Sequence, residues 1–68
     1  MKKNKEVKVE YYDNGNKSRE IHYKDGKEDG VSTHWDKNGT KWMEEHYKDD
    51  KLVKEEYYKD DKLVNKVA

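Results

Sequence analysis

An aromatic residue followed by a turn signal recurs along this chain: Tyr12-Asp-Asn-Gly15, Tyr23-Lys-Asp-Gly26, Trp35-Asp-Lys-Asn-Gly39, Tyr47-Lys-Asp-Asp50 and Tyr58-Lys-Asp-Asp61. The aromatics are spaced by 11, 12, 12 and 11 residues. That interval holds one strand and one turn, so two intervals make a hairpin of about 23 residues, inside the range of repeat architectures. Between the turns lie short runs rich in Val, Ile, Thr, Tyr and Trp with no 3.6-residue periodicity, the signature of strands. The pattern predicts an all-β fold: a single-layer antiparallel meander of six short strands at 7–12, 17–23, 31–35, 40–47, 52–58 and 63–67. Residues 1–68 read as one domain, with 1–6 as a flexible N-terminal tail.

Composition limits what such a sheet can be. A chain of 68 residues supports one small core worth a few kcal/mol. Only 29% of it is hydrophobic, but six Tyr and two Trp favour folding over disorder. Sixteen basic and sixteen acidic residues cancel to a formal net charge of zero, so no whole-chain field attracts nucleic acid or anionic lipid. Zero Cys removes disulfides, thiolate metal sites and cysteine nucleophiles. No apolar run exceeds two residues, which argues against a signal peptide or a membrane span and for a soluble, cytoplasmic domain.

Turn chemistry predicts the pairing. Asn14-Gly15 and Asp25-Gly26 suit two-residue type I′ turns, which need positive φ at both central residues. Asp49-Asp50 and Asp60-Asp61 place aspartate where glycine is easier, predicting poorer or longer turns and a softer C-terminal end. With two-residue turns throughout, Tyr11 faces Ser18, Glu20 faces Val31, Tyr47 faces Leu52, Trp42 faces Tyr57, and Tyr57 faces Val64. Parity then puts Val7, Val9, Tyr11, Val31, Thr33, Trp35, Trp42, Val53, Tyr57 and Val64 on one face, the expected core face. Tyr12, Ile21, Tyr23, Met43, Tyr47, Leu52, Tyr58 and Leu63 fall on the other. Glu10 with Arg19 and Glu55 with Lys66 are the expected cross-strand ion pairs.

The segment from Tyr23-Lys-Asp-Gly26 through Gly30-Val-Ser-Thr-His-Trp35 and Asn38-Gly39 to Tyr47 resembles a MORN-type repeat (membrane occupation and recognition nexus). It is most similar to the bacterial variant that alternates a Tyr-Lys-Asn-Gly-Lys hairpin with a Gly-x-Trp-x-x-Tyr-Tyr-x-Asn-Gly hairpin. The likeness runs from Tyr11 to about Val64. Asp50 and Asp61 replace turn glycines of that pattern, and Ser32 stands where its tryptophan is usual. The resemblance implies an elongated antiparallel sheet of stacked hairpins. It also implies a non-catalytic binding protein, of the kind found as the antitoxin-like partner of a bacterial toxin or as a protein-interaction module.

The residues themselves offer little chemistry. His22, His34 and His46 are spaced by twelve, but parity puts His34 on the opposite face from the other two, which argues against a three-histidine metal site. Asp49-Asp50 and Asp60-Asp61 lack the surrounding ligands of a calcium loop. The neighbours Glu44-Glu45 and Glu55-Glu56 point to opposite faces of an open sheet, unlike the paired acids of a glycosidase cleft. Ser18 and Ser32 have no base beside them. No catalytic residue, metal or cofactor is expected. The binding candidates are Tyr11, Trp35, Trp42 and Tyr57, aromatics of the kind that anchor interfaces. The expected function is therefore binding of a protein partner, a toxin or another target, through an aromatic face or an edge strand. A self-assembling homo-oligomer is the alternative, and a small phage or mobile-element inhibitor a further one. Nucleic acid and membrane are not expected partners, because acids are interleaved with the lysines.

Overall fold

The computed structural model describes residues 4–67. All regular structure among them is strand: β1 (Lys5–Tyr11), β2 (Lys17–Lys24), β3 (Lys27–Glu28), β4 (Gly30–Trp35), β5 (Lys41–Lys48), β6 (Lys51–Lys59) and β7 (Lys62–Val67). They form one antiparallel sheet in the order β1-β2-β4-β5-β6-β7, with the two-residue β3 paired to β2. The molecule measures 41 × 30 × 13 Å, so the sheet is one layer thick. The predicted meander is therefore the observed fold. Its first strand starts earlier than expected: Lys5 and Glu6 belong to β1, and the part of the expected tail over 1–3 lies outside the described residues.

The break between β3 and β4 falls at Asp29-Gly30. Asp29 still reaches the His22 carbonyl through its amide at 3.0 Å. Gly30 adopts φ +100°, a conformation L side chains rarely take, although a Cβ there would meet only His22 Cβ, at an ordinary contact distance of 3.7 Å. The expected strand at 31–35 is the C-terminal part of this bent segment.

Turn chemistry departs from expectation in both directions. Asn14-Gly15 is not a two-residue turn: only Gly15 has positive φ, the Gly15 amide bonds the Tyr12 carbonyl at 3.0 Å, and the Tyr12 amide bonds the Asn16 carbonyl at 2.8 Å. This is a three-residue loop, a type I turn followed by a left-handed glycine. The loop at Gly39 repeats it, with Asp36 in the place of Tyr12. Its Asp36 carboxylate accepts the amides of Asn38 and Thr40 at 2.9 and 3.1 Å. The C-terminal turns, in contrast, are neither longer nor irregular. Asp49-Asp50 and Asp60-Asp61 hold positive φ at both positions, as Asp25-Gly26 does, and close as two-residue type I′ turns. Asp50 is held there by its neighbour: its carboxylate accepts the Glu28 amide at 2.7 Å and its own amide bonds the Glu28 carbonyl at 2.9 Å. At the opposite end of the sheet the Asn14 and Asn16 side chains both donate to the Lys37 carbonyl at 2.9 Å. Successive turns on each edge are thus tied to one another.

Four hairpins carry a bulge at an equivalent place. Between Tyr11↔Lys17 and Glu10↔Arg19 one strand advances a residue further than its partner, leaving Ser18 extra. Trp42, Val53 and Val64 are extra in the same way in β5, β6 and β7. An extra residue reverses the parity of every position beyond it. Several expected pairings shift by one or two: Tyr11 pairs Lys17 rather than Ser18 because of the three-residue loop, Glu20 pairs Thr33 rather than Val31 because of the break at Asp29, and through the bulges Met43 rather than Trp42 pairs Tyr57 and Tyr57 pairs Asn65 rather than Val64. Lys66 pairs Glu56, not Glu55. Tyr47↔Leu52 and Glu10↔Arg19 stand as expected, the latter pair closed at 2.8 Å.

The core consequently forms around residues that parity assigned to the other face, while the bulges divide the expected core face between the two sides. Ile21 and Met43, 5% and 8% exposed, and Ser32 at 2% are the buried residues. Register places all three on one side with Tyr23, Tyr47 and Leu52. With no second layer, the side chains of neighbouring rows must cover them. Val7, Tyr11, Val53 and Val64, expected in the core, are all more than half exposed.

Candidate protein-binding surface

The four aromatic candidates do not share a face. Trp35 follows His34 on β4, and neighbours along a strand point to opposite sides. His34 pairs Met43, which pairs Tyr57, so His34 and Tyr57 lie on the core side, while Trp35 and Tyr11 lie on the other. The bulge at Trp42 delivers its indole to the core side: its ring stands 5.8 Å from His34 and 6.4 Å from Tyr57, tilted by 55° and 35°. The single-face aromatic patch predicted from parity is thus corrected to two separate pairs.

The pair on the outer side is dispersed. Tyr11 is 62% exposed and opens on a groove with Tyr12, Asp13, Asn14 and Lys37. Trp35 is partly covered, with the Lys17 ammonium 5.6 Å from its ring centre and its carbonyl accepting the Tyr12 hydroxyl at 2.7 Å. Much of this side is ionic. Lys41 bonds Glu44 at 2.8 Å and lies 4.1 Å from the centre of the Tyr58 ring. The bond to Glu44 holds the Lys41 ammonium above its usual range, against the cost of partial burial. His46 Nε2 stands 2.8 Å from Glu56 and 3.8 Å from Glu44. The hydrogen bond from His46 holds the Glu56 carboxyl below its usual range, with Lys54, His46 and Lys66 adding charge in the same direction. Glu44, His46 and Glu56 have ligand atoms within 4.8 Å of one another, the one described grouping with metal-ligand spacing. Lys41 and Lys54 already meet its carboxylates. His22 shares this face and His34 does not, as the sequence implied.

The pair on the core side belongs to a ring of five side chains. Glu45 receives the His34 ring at 2.9 Å; His34 neighbours Trp42; Trp42 neighbours Tyr57; and the Tyr57 hydroxyl donates to Glu55 at 2.8 Å. Glu55 pairs directly with Glu45 across β5 and β6, closing the circuit. Buried Met43, paired with both His34 and Tyr57, lies within it. Trp42 is 41% exposed, so the ring meets solvent through its largest apolar member. The hydrogen bond to Glu55, then burial, pushes the Tyr57 hydroxyl above its ordinary titration range. Burial, followed by the charges of Glu45, Glu28 and Glu55, does the same at Tyr47. Sequence reasoning singled out Trp42 and Tyr57 but missed His34, Glu45 and Glu55, because their meeting depends on the bulges at Trp42 and Val53, for which no residue-type signal exists.

Nothing in this arrangement activates a nucleophile, and the ring lies open on a sheet face. No helix among the described residues is long and apolar enough to cross a membrane. A family model described as MORN repeat variant matches residues 7–25 and 28–49. No curated protein and no solved structure matches the chain. The matched segments cover β1 to β5 almost entirely, and the same hairpin pattern continues through β6 and β7.

Proposed function

The chain belongs to the MORN repeat variant family, and from that premise we propose that it is a non-catalytic protein-interaction module that engages its partner through the Trp42–Tyr57 ring. Repeats of this family commonly serve as protein- or membrane-interaction modules. The observation that carries the reading is the partly exposed indole of Trp42, held at a defined angle between His34 and Tyr57 on the side that contains the core. Exposed aromatics fixed by their surroundings lose little entropy on binding, which is why interfaces concentrate on them. An inhibitor-like or antitoxin-like role, in which this face covers the working surface of a toxin or another enzyme, is the finer form of the proposal.

Affinity capture from a lysate of the source cells, comparing Trp42→Ala/Tyr57→Ala with Tyr11→Ala/Trp35→Ala, tests it. A specific partner held by the wild type and by the second variant, but lost by the first while its circular dichroism stays β-like, is the expected outcome. Loss with the outer-side variant alone would place binding on the other face.

Self-assembly has its own supporting observation: β7 is exposed along its whole length, and Leu63, Val64 and Val67 lie open on an unpaired edge. Sedimentation at micromolar concentration decides this second reading, since a strict monomer contradicts it.

A further inference from the structure

The ring carries negative charge that its surroundings leave uncompensated. Glu45 and Glu55 stand directly opposite each other, and like charges so placed oppose strand pairing. The equivalent pair on the outer side, Glu44 and Glu56, is neutralised: Lys41 lies 2.8 Å from Glu44, and Lys54 lies 3.9 Å from Glu56. No such cation serves the ring. Among the described residues no lysine or arginine comes within 4.0 Å of Glu45 or Glu55, whose polar neighbours are the His34 ring and the hydroxyls of Tyr57 and Tyr47. Arg19, which pairs His34 on the same side, is already closed onto Glu10 at 2.8 Å. Two like charges are thus held together beside an indole and a phenol, in a chain whose basic and acidic residues are equal in number.

We propose that this ring is a receptor for an arginine side chain of the partner protein, with the guanidinium bridging Glu45 and Glu55 and stacking on Trp42. The proposal deepens the protein-binding reading and rests on it. A guanidinium suits the site for three reasons: its fork of donors matches carboxylates two at a time, it stays charged, and its flat face packs on indole. Bringing it in also removes the like-charge opposition between β5 and β6, so binding should stiffen those two strands.

Titration of the 15N-labelled protein with Nα-acetyl-arginine-methylamide tests the chemistry without the partner. The indole N–H signal of Trp42 and the amides of Glu45 and Glu55 should shift saturably, while the Trp35 indole stays in place. In Glu45→Gln/Glu55→Gln the affinity should fall about tenfold or more. The thermal midpoint of that variant should be no lower than wild type, because a repulsion has been removed. The lysine analogue should bind more weakly, and the citrulline analogue should leave the spectrum unchanged. Equal shifts at both indoles, unchanged affinity in the double variant, or citrulline binding as well as arginine would overturn the proposal. If Glu45→Gln/Glu55→Gln still captures the partner that Trp42→Ala/Tyr57→Ala loses, the cationic chemistry fails and the interaction-module reading stands. If the arginine shifts appear but neither variant changes capture, the receptor exists and the proposed role of the ring in partner binding fails.

Discussion

Ile21→Ala measures where the core is. Ile21 is 5% exposed, so truncation removes three carbons that are almost wholly shielded from water. At about 0.8 kcal/mol for each, the transfer loss is about 2.3 kcal/mol. A cavity would add to that in a thick core, but the flanking rows of a one-layer sheet settle into the gap more easily, so the transfer figure stands as the expectation. Val64→Ala is the control: 61% exposed, it loses two carbons that are less than half shielded, about 0.6 kcal/mol. A domain of this size has about 3–10 kcal/mol in total, so the first change consumes a large share and the second does not. The thermal midpoint should fall by about 10–18 °C for Ile21→Ala and by a few degrees for Val64→Ala. Urea unfolding followed by tryptophan fluorescence and by circular dichroism gives the same comparison in free energy. Equal losses from the two substitutions, or a loss below about 1 kcal/mol at Ile21, would refute the assignment of the core to the Ile21–Met43 side.

Asp61→Gly should stabilise the protein by about 0.5–1 kcal/mol, since glycine adopts positive φ more cheaply than aspartate. Asp50→Gly, which gains the same relief but gives up the 2.7 Å bond to the Glu28 amide, should be close to neutral; paired thermal melts decide, and an equal gain from both would show that the turn-to-turn bond contributes nothing. For Glu56 the folded carboxyl titrates below its unfolded value, so its contribution is complete above the unfolded value of about 4.3 and is lost as pH falls through the lower folded one. Glu56→Gln should therefore lower the urea midpoint at pH 7 and flatten its decline below about pH 4.3, and a parallel decline in both proteins would contradict the assignment.

The course of the chain is legible in the sequence because turn chemistry and strand composition are local. The aromatic-plus-turn interval locates every hairpin, and Tyr47↔Leu52 comes from counting outward from Asp49-Asp50. Which side each residue faces is not legible, because it depends on a running parity that any single irregularity reverses. Asn14-Gly15 takes one more loop residue than a two-residue turn allows, and Ser18, Trp42, Val53 and Val64 each add one beyond the turns. Parity alone therefore puts Trp42 and Trp35 on a common side although the chain sends them apart. The aspartate turns mislead in the other direction: the tertiary bonds that hold Asp50 in its unfavourable conformation come from Glu28, twenty-two positions away, beyond the reach of local turn statistics.

The four surplus residues also determine where the chain can change its length. Each stands outside the ladder of partners, so removing it would leave all other pairs matched as before, whereas a deletion elsewhere within a strand would turn every side chain beyond it inside out. Gain or loss of single residues along such a ribbon is thereby confined to a few permissive slots.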